Sequence, residues 1–212
     1  FDRATELLSD ILFNSIYPQA ELEKEKAVII DEIYSYQDTP FEQIYDDFEE
    51  MVFKDHSLNM NILGSVDSVK KITRKNILEY ISKNYSTNEI VFSVVGDFTE
   101  AKIRKLTAKY LKNIPEKTTV TNRKKFNLYK PSDQAVVKDV QQTHCMLGNI
   151  AYGTHHKNKK GFILLNNILG GPAMNSRLNM GIREKYGFTY NIESNYTIYS
   201  DIGLFNIYLG TD

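Results

Sequence analysis

Two carboxylates, Glu25 and Glu32, stand seven residues apart in the run Leu22-Glu23-Lys24-Glu25-Lys26-Ala27-Val28-Ile29-Ile30-Asp31-Glu32-Ile33. Two helical turns return a residue to within about 20° of its starting direction, so both carboxylates share one helix stripe with Leu22, Ile29 and Tyr36. If that stripe is buried, the carboxylates must be paired, protonated or bound to a metal. If it is half buried, they are solvated and do no chemistry. A second candidate lies in Ser176-Arg177-Leu178-Asn179-Met180-Gly181-Ile182-Arg183-Glu184-Lys185-Tyr186-Gly187-Phe188-Thr189-Tyr190. Arg183 falls late in a helix, Gly187 is placed to end it, and Tyr190 begins a strand. A guanidinium and a phenol at such a junction can donate hydrogen bonds to a peptide carbonyl or a developing oxyanion. The competing reading is an arginine favoured by the helix dipole and a sheet tyrosine that merely packs.

Other chemistries find little support. His56, His144, His155 and His156 stand in no metal-ligand spacing. There is no phosphate-binding glycine loop, no GxSxG elbow and no Cys/His zinc framework, and Gly170-Gly171-Pro172 reads as a turn. The one cysteine, Cys145, excludes an internal disulfide and is expected to be a buried, inert strand thiol. Lys and Arg total 26 against 27 Asp and Glu, a net charge of −1, which gives no electrostatic footprint for nucleic acid or an anionic membrane. No apolar run approaches the roughly 20 residues that span a bilayer.

The elements that would position these residues follow from periodicity. Helices are expected over residues 2–15, from Pro18 to Tyr36, and from Thr39 to Lys54, the last opened by a Thr39-Pro40-Phe41-Glu42 capping box. Thr73 and Thr99 cap two more helices. Between them, the apolar run Ile90–Val95 reads as a strand covered on both faces. Residues 116–134, rich in Lys, Thr, Asn and Pro, read as a linker. Strands are then expected near 135–140 and 143–152, helices over 158–169 and 174–186, and two alternating strands near 188–199 and 202–210. This order predicts an α+β fold, an antiparallel or mixed sheet covered by helices. The chain opens on a helix without an initiator Met and stops at the end of a strand pattern, so both ends are expected to be cuts in a longer protein.

Taken in order, these segments resemble the pitrilysin/insulinase (M16) zinc metallopeptidases, built on an inverted HxxEH motif. The resemblance covers nearly the whole chain. It is carried by Leu7 to Ile33, by Asn61-Ile62-Leu63-Gly64-Ser65, and by Tyr85-Ser86-Thr87-Asn88 through Val95-Gly96-Asp97-Phe98. Its most specific part is Leu169-Gly170-Gly171 through Ser176-Arg177-Leu178, then Arg183-Glu184-Lys185 and Gly187-Phe188-Thr189-Tyr190. By that resemblance Glu32 is the third zinc ligand, Glu25 supports the site without binding the metal, and Arg183 and Tyr190 face the substrate. The departures are as informative. No histidine precedes Glu32, so the HxxEH segment is absent, and one ligand of three cannot hold catalytic zinc. Where the family often has His-Pro-Tyr-Gly, this chain has His56-Ser57-Leu58-Asn59.

The resemblance implies halves of two duplicated domains: residues 1–115 the second half of a zinc-site domain, 116–134 a linker, and 135–212 the first half of a substrate-binding domain. Residues 135–212 are expected to fold against 1–115 as a pseudo-permuted domain, because Ile90–Val95 needs partner strands. The expected activity is that of a zinc-dependent metalloendopeptidase acting on peptides or unfolded segments, with this chain inactive alone. Its expected partners are a peptide substrate and the rest of its own chain or a homologous subunit, a homodimer being one such arrangement. The alternatives are a non-catalytic partner or scaffold subunit of the same family and a peptide-binding module without chemistry. No compartment follows from the sequence.

Overall fold

The computed structural model describes residues 1–120 and 123–212. Thr121 and Asn122, inside the expected linker, lie outside the described residues. The chain forms two compact units, each assembled from two stretches of sequence: Phe1–Ile29 with Asp67–Arg123, and Ile30–Val66 with Lys124–Asp212.

The first unit is helical. It holds α1 (Asp2–Phe13), the first half of α2 (Gln19–Gln37), nearly all of α4 (Val66–Lys71), α5 (Arg74–Asn84) and α6 (Glu100–Leu111). Thr73 opens α5 with a reciprocal capping box, its hydroxyl accepting from Asn76 N while the Asn76 side chain accepts from Thr73 N. Thr99 caps α6 through Lys102 N. α1 meets α6 through Ser9 Oγ, which donates to Tyr110 O at 3.1 Å, and through Lys109 Nζ beside Asp2 at 3.3 Å. Lys26, nearly buried, reaches from α2 to Glu23 Oε1 (3.0 Å) and to Lys70 O at the end of α4 (3.3 Å), so its charge is both paired and hydrogen-bonded.

Residues 90–95 do not form the expected strand. A strand requires a partner ladder, and here Val91 and Val95 are 86% and 100% exposed. Residues 135–140 likewise carry no strand.

The second unit contains the sheet. Strands β1 (Thr143–Tyr152), β2 (Asn191–Ile198) and β3 (Ile202–Thr211) are antiparallel in the order β1-β3-β2. Alternation assigns the two faces. Glu193, Asn195, Leu204 and Tyr208 point toward α3 (Pro40–Val52), whereas Ser194 and Phe205 point toward α7 (Lys159–Gly170). The α+β architecture, an antiparallel sheet with helices against it, is thus the one expected. Its core is Phe48, Val52 and Phe53 against Phe126, Ile202 and Leu204, with Phe53 and Leu204 fully buried. Gly148 is required there: a Cβ would lie 2.2 Å from Phe205 O and 2.7 Å from the Phe48 ring.

Local details depart from sequence rules. Thr39 caps no helix; its hydroxyl donates to Ser35 O at 2.9 Å, because only Asp38 separates it from the end of α2 and the terminal carbonyls there compete for it. The expected helix over 174–186 contains a π-helical segment, Asn179–Glu184, closed by Lys185 N donating to Met180 O at 3.2 Å. Cys145 is exposed rather than buried, since it projects from edge strand β1.

Candidate functional site

Glu25 and Glu32 share the continuous helix α2, as their spacing requires, and both are exposed. The buried positions of that helix are Lys26 and Ile33, also seven apart but each one residue further on. The acidic stripe therefore flanks the packed face, with Leu22 and Ile29 half-buried along it. Neither carboxylate has a side-chain partner among the described residues. Among those residues, no group of three or more His, Cys, Asp or Glu is placed to hold a metal ion. A catalytic zinc takes three protein ligands, so the side chains present do not fit one.

Arg183 lies in the π-helical segment, its Nη1 3.8 Å from Glu184 Oε1 in an exposed pair. The chain then turns at Gly187, whose φ of 64° favours glycine; a Cβ there would meet nothing within 4 Å, so backbone freedom alone requires it. The turn is closed by Gly187 N donating to Arg183 O (2.9 Å) and Phe188 N donating to Ile182 O (3.3 Å). Beyond it, residues 188–190 are stitched to the end of β3. Thr211 Oγ1 donates to Phe188 O (2.7 Å), Tyr190 N to Gly210 O (3.2 Å), and the Tyr190 hydroxyl to Asp212 Oδ2 (2.9 Å). That bond to a carboxylate raises the Tyr190 pKa, so the phenol keeps its proton at neutral pH. Arg183 and Tyr190 are thus joined by one short, hydrogen-bonded turn, with their side chains on different partners.

Two pairs of residues that carry no motif dock α3 on the sheet. Tyr45 donates to Glu193 Oε1 at 2.6 Å, and Asn195 Nδ2 bridges both, at 3.2 Å to the phenol and 3.1 Å to the carboxylate. Burial, reinforced by the bond to Glu193, pushes the Tyr45 phenol far above its ordinary value. Tyr45 also stacks on Tyr208, with Phe41 edge-on to both rings. Nearer the core, the Tyr199 hydroxyl donates to Glu49 Oε1 at 2.9 Å. Burial raises the Glu49 pKa, and this hydrogen bond only partly opposes the shift. His144 stacks on Tyr208, its Nδ1 2.8 Å from the Tyr208 hydroxyl. Between α2 and α3 lies a cleft of about 160 Å³ whose walls include Ile33, Tyr36 and Gln37 on one side and Gln43, Asp46 and Glu49 on the other. The only sequence signal for these contacts was periodicity: Tyr45 on the apolar face of a helix, Glu193 and Asn195 on one face of a strand.

Comparison with known proteins agrees with this picture. Residues 71–212 match the family model described as "Peptidase M16 inactive domain". A Rickettsia felis protein named "Uncharacterized zinc protease" is 35% identical over 99% of this chain and 50% of its own length. The Bacillus subtilis "Uncharacterized zinc protease YmxG" is 31% identical over 98% of this chain and 50% of its own length. The crystal structure of a peptidase M16 inactive domain from Pseudomonas fluorescens superposes with a TM-score of 0.90 at 22% identity, covering 98% of this chain and 50% of that one, which shows the shared fold. The chain spans about half the length of the curated relatives it matches. With the family model matching well over half of the sequence and the fold agreeing throughout, the chain belongs to the peptidase M16 inactive-domain family.

Proposed function

We propose that this chain is a non-catalytic inner portion of a zinc metalloendopeptidase that hydrolyses peptide bonds in peptides or unfolded segments, and that it is inactive alone. The observation that carries this reading is on α2: Glu25 and Glu32 are held on one stripe beside a packed face, exposed and without side-chain partners among the described residues. Glu32, next to the buried Ile33, is suited to bind a group brought by another part of the protein. The relatives named zinc proteases, about twice as long, support such a parent. In this reading residues 1–115 complete a zinc-site domain, 116–134 link, and 135–212 begin a substrate-binding domain. The partner is the rest of the same chain or a homologous subunit.

The roles of this chain's own residues follow from their chemistry. Glu32 would contribute one carboxylate to a metal whose other ligands come from the rest of the protein, and Glu25 would support it. Arg183 and Tyr190 orient a peptide carbonyl as donors. The guanidinium is free to do so because its exposed pair with Glu184 is worth little. The phenol stays protonated, and its hydrogen bond switches from the Asp212 carboxylate to the substrate carbonyl as the peptide docks. In the full-length protein, Glu32→Gln is expected to abolish bound zinc, read by metal analysis, together with cleavage of an unfolded peptide. Unchanged zinc content and cleavage would refute the assignment.

The matched family model, described as an inactive domain, supports a second reading, a non-catalytic partner or scaffold subunit of the same family. It predicts that the wild-type full-length protein neither retains zinc nor cleaves peptide.

A further inference from the structure

Glu32 and Tyr190 are far apart in sequence, yet an uninterrupted series of contacts within the second unit leads from one to the other. Glu32 precedes the buried Ile33 in the last turns of α2, which share the cleft wall with α3. The junction is tight: Thr39 N donates to Tyr36 O (3.1 Å), Thr39 Oγ1 to Ser35 O (2.9 Å), and Gln43 N back to Thr39 O (3.0 Å), so α3 leaves α2 in a set direction. One turn into α3, Tyr45 meets Glu193 and Asn195 on β2. Glu193 is three residues beyond Tyr190, on a strand already aligned by its ladder with β3.

The bonding at this point is directional and mutually satisfied. Tyr45 supplies one proton to Glu193, Asn195 supplies two to the phenol and the carboxylate, and Phe41 and Tyr208 hold the Tyr45 ring from two sides. A carboxylate shared by two donors in a partly dehydrated setting makes a stiff joint. The hydrophobic core further along α3, at Phe48 and Val52, holds the helix to the sheet by non-directional packing. The Tyr199–Glu49 bond also ties α3 to the sheet, and the Tyr45 hydroxyl is the directional contact made to β2 itself.

We propose that Tyr45, through Glu193 and Asn195, is a positioning residue that fixes β2, and with it Tyr190 immediately before that strand, relative to the helix bearing Glu32. The inference rests on the peptidase reading above and adds to it an element that no motif marks. Tyr45 touches neither metal nor peptide; it sets the span across which the peptide is held.

The test is a double-mutant cycle in the full-length protein, with cleavage of an unfolded peptide and the melting temperature as readouts. Tyr45→Phe keeps the ring and removes only the hydroxyl. It is expected to lower kcat/KM by about ten- to a hundredfold, the scale of a sub-ångström to ångström misplacement, with the loss chiefly in KM. In the Tyr190→Phe background the same change is expected to cost no more than about twofold, because the group it positions is already gone. Glu193→Gln, which keeps an acceptor for Tyr45, is expected to retain most activity where Glu193→Ala does not; this pair decides the matter if Tyr45→Phe fails to fold. A silent Tyr45→Phe, a loss that multiplies in full with that of Tyr190→Phe, or equal losses in the two Glu193 variants would overturn the proposal while leaving the peptidase reading intact. A silent Tyr190→Phe would instead sink the peptidase reading, and this inference with it.

Discussion

The two units achieve order by different means. The sheet unit owns its core: Phe48, Val52, Phe53, Phe126, Ile202 and Leu204 bury one another, and tyrosine–carboxylate bonds lock the helix that covers them. In the helical unit, Val69 is the one hydrophobic side chain of the core class among the described residues, while Leu7, Leu8, Ile11, Val91 and Val95 are exposed. Its order comes from caps and polar cross-links: the Thr73 box, Thr99, Lys26 to Lys70 and the Thr87–Lys117 pair. Ladder and jigsaw packing stabilise the first; local hydrogen bonds, each worth about 0.5–1.5 kcal/mol, stabilise the second. The sheet unit exposes apolar side chains too, such as Leu147, Leu164 and Phe188, but around a packed core of its own. The helical unit presents apolar side chains, above all at residues 90–95, that a partner strand would cover.

This contrast can be broken by truncation. Phe53→Ala removes a fully buried ring that meets Phe126 and Tyr199 edge-on, and is expected to cost about 3–5 kcal/mol in urea unfolding. Leu8→Ala, at a side chain 60% exposed, is expected to stay within about 0.5 kcal/mol. Comparable losses at the two sites would show that the helical unit has a core after all. A finer comparison uses the caps. Thr73→Ala should cost about 1 kcal/mol and speed amide exchange in α5 alone, leaving the strand amides protected; a loss of protection throughout β3 would mean that the units do not fold separately.

The smallest effect concerns pH. Burial holds the Glu49 pKa above its ordinary value of 4.5, so ionising it costs the folded state. That cost is absent below the ordinary value and enters as pH rises through the raised one. Glu49→Gln cannot ionise and still accepts from Tyr199. It should therefore be slightly more stable than wild type at neutral pH, with the difference vanishing below the ordinary value, as measured by thermal melts across pH. A variant less stable at neutral pH would show that the charge on Glu49 strengthens the Tyr199 bond by more than burial costs.

Much of this was legible in advance where a pattern is closed within its own segment. The alternation in 143–152 and 202–210, the caps at Thr73 and Thr99 and the break at Gly170-Gly171 all appear as expected, because each depends on neighbours a few residues away. The apolar run Ile90–Val95 has strand composition but no partner ladder in the described residues, and composition cannot supply one. Thr39 shows a true motif losing to a neighbouring helix end. Motif order named the candidate site residues, but it did not give their contacts. Tyr45 and Glu193 are 148 residues apart, and Tyr199 and Glu49 are 150 apart, so only the docking of α3 on the sheet brings them together.

The π-helical segment at Asn179–Glu184 has a consequence for how such a chain can change by descent. A regular α-helix advances about 100° per residue, and a π-turn accommodates one residue more in nearly the same length of axis. The segment is therefore equivalent to a one-residue insertion absorbed without lengthening the helix, and it turns Arg183 to a new azimuth while leaving Gly187 to close the turn. A deletion here, for instance of Gly181, whose Cβ position is empty, would restore ordinary winding and swing Arg183 around by about a quarter turn. Lineages that gain or lose this single residue would thus re-aim the arginine in one step, with the fold around it unaltered.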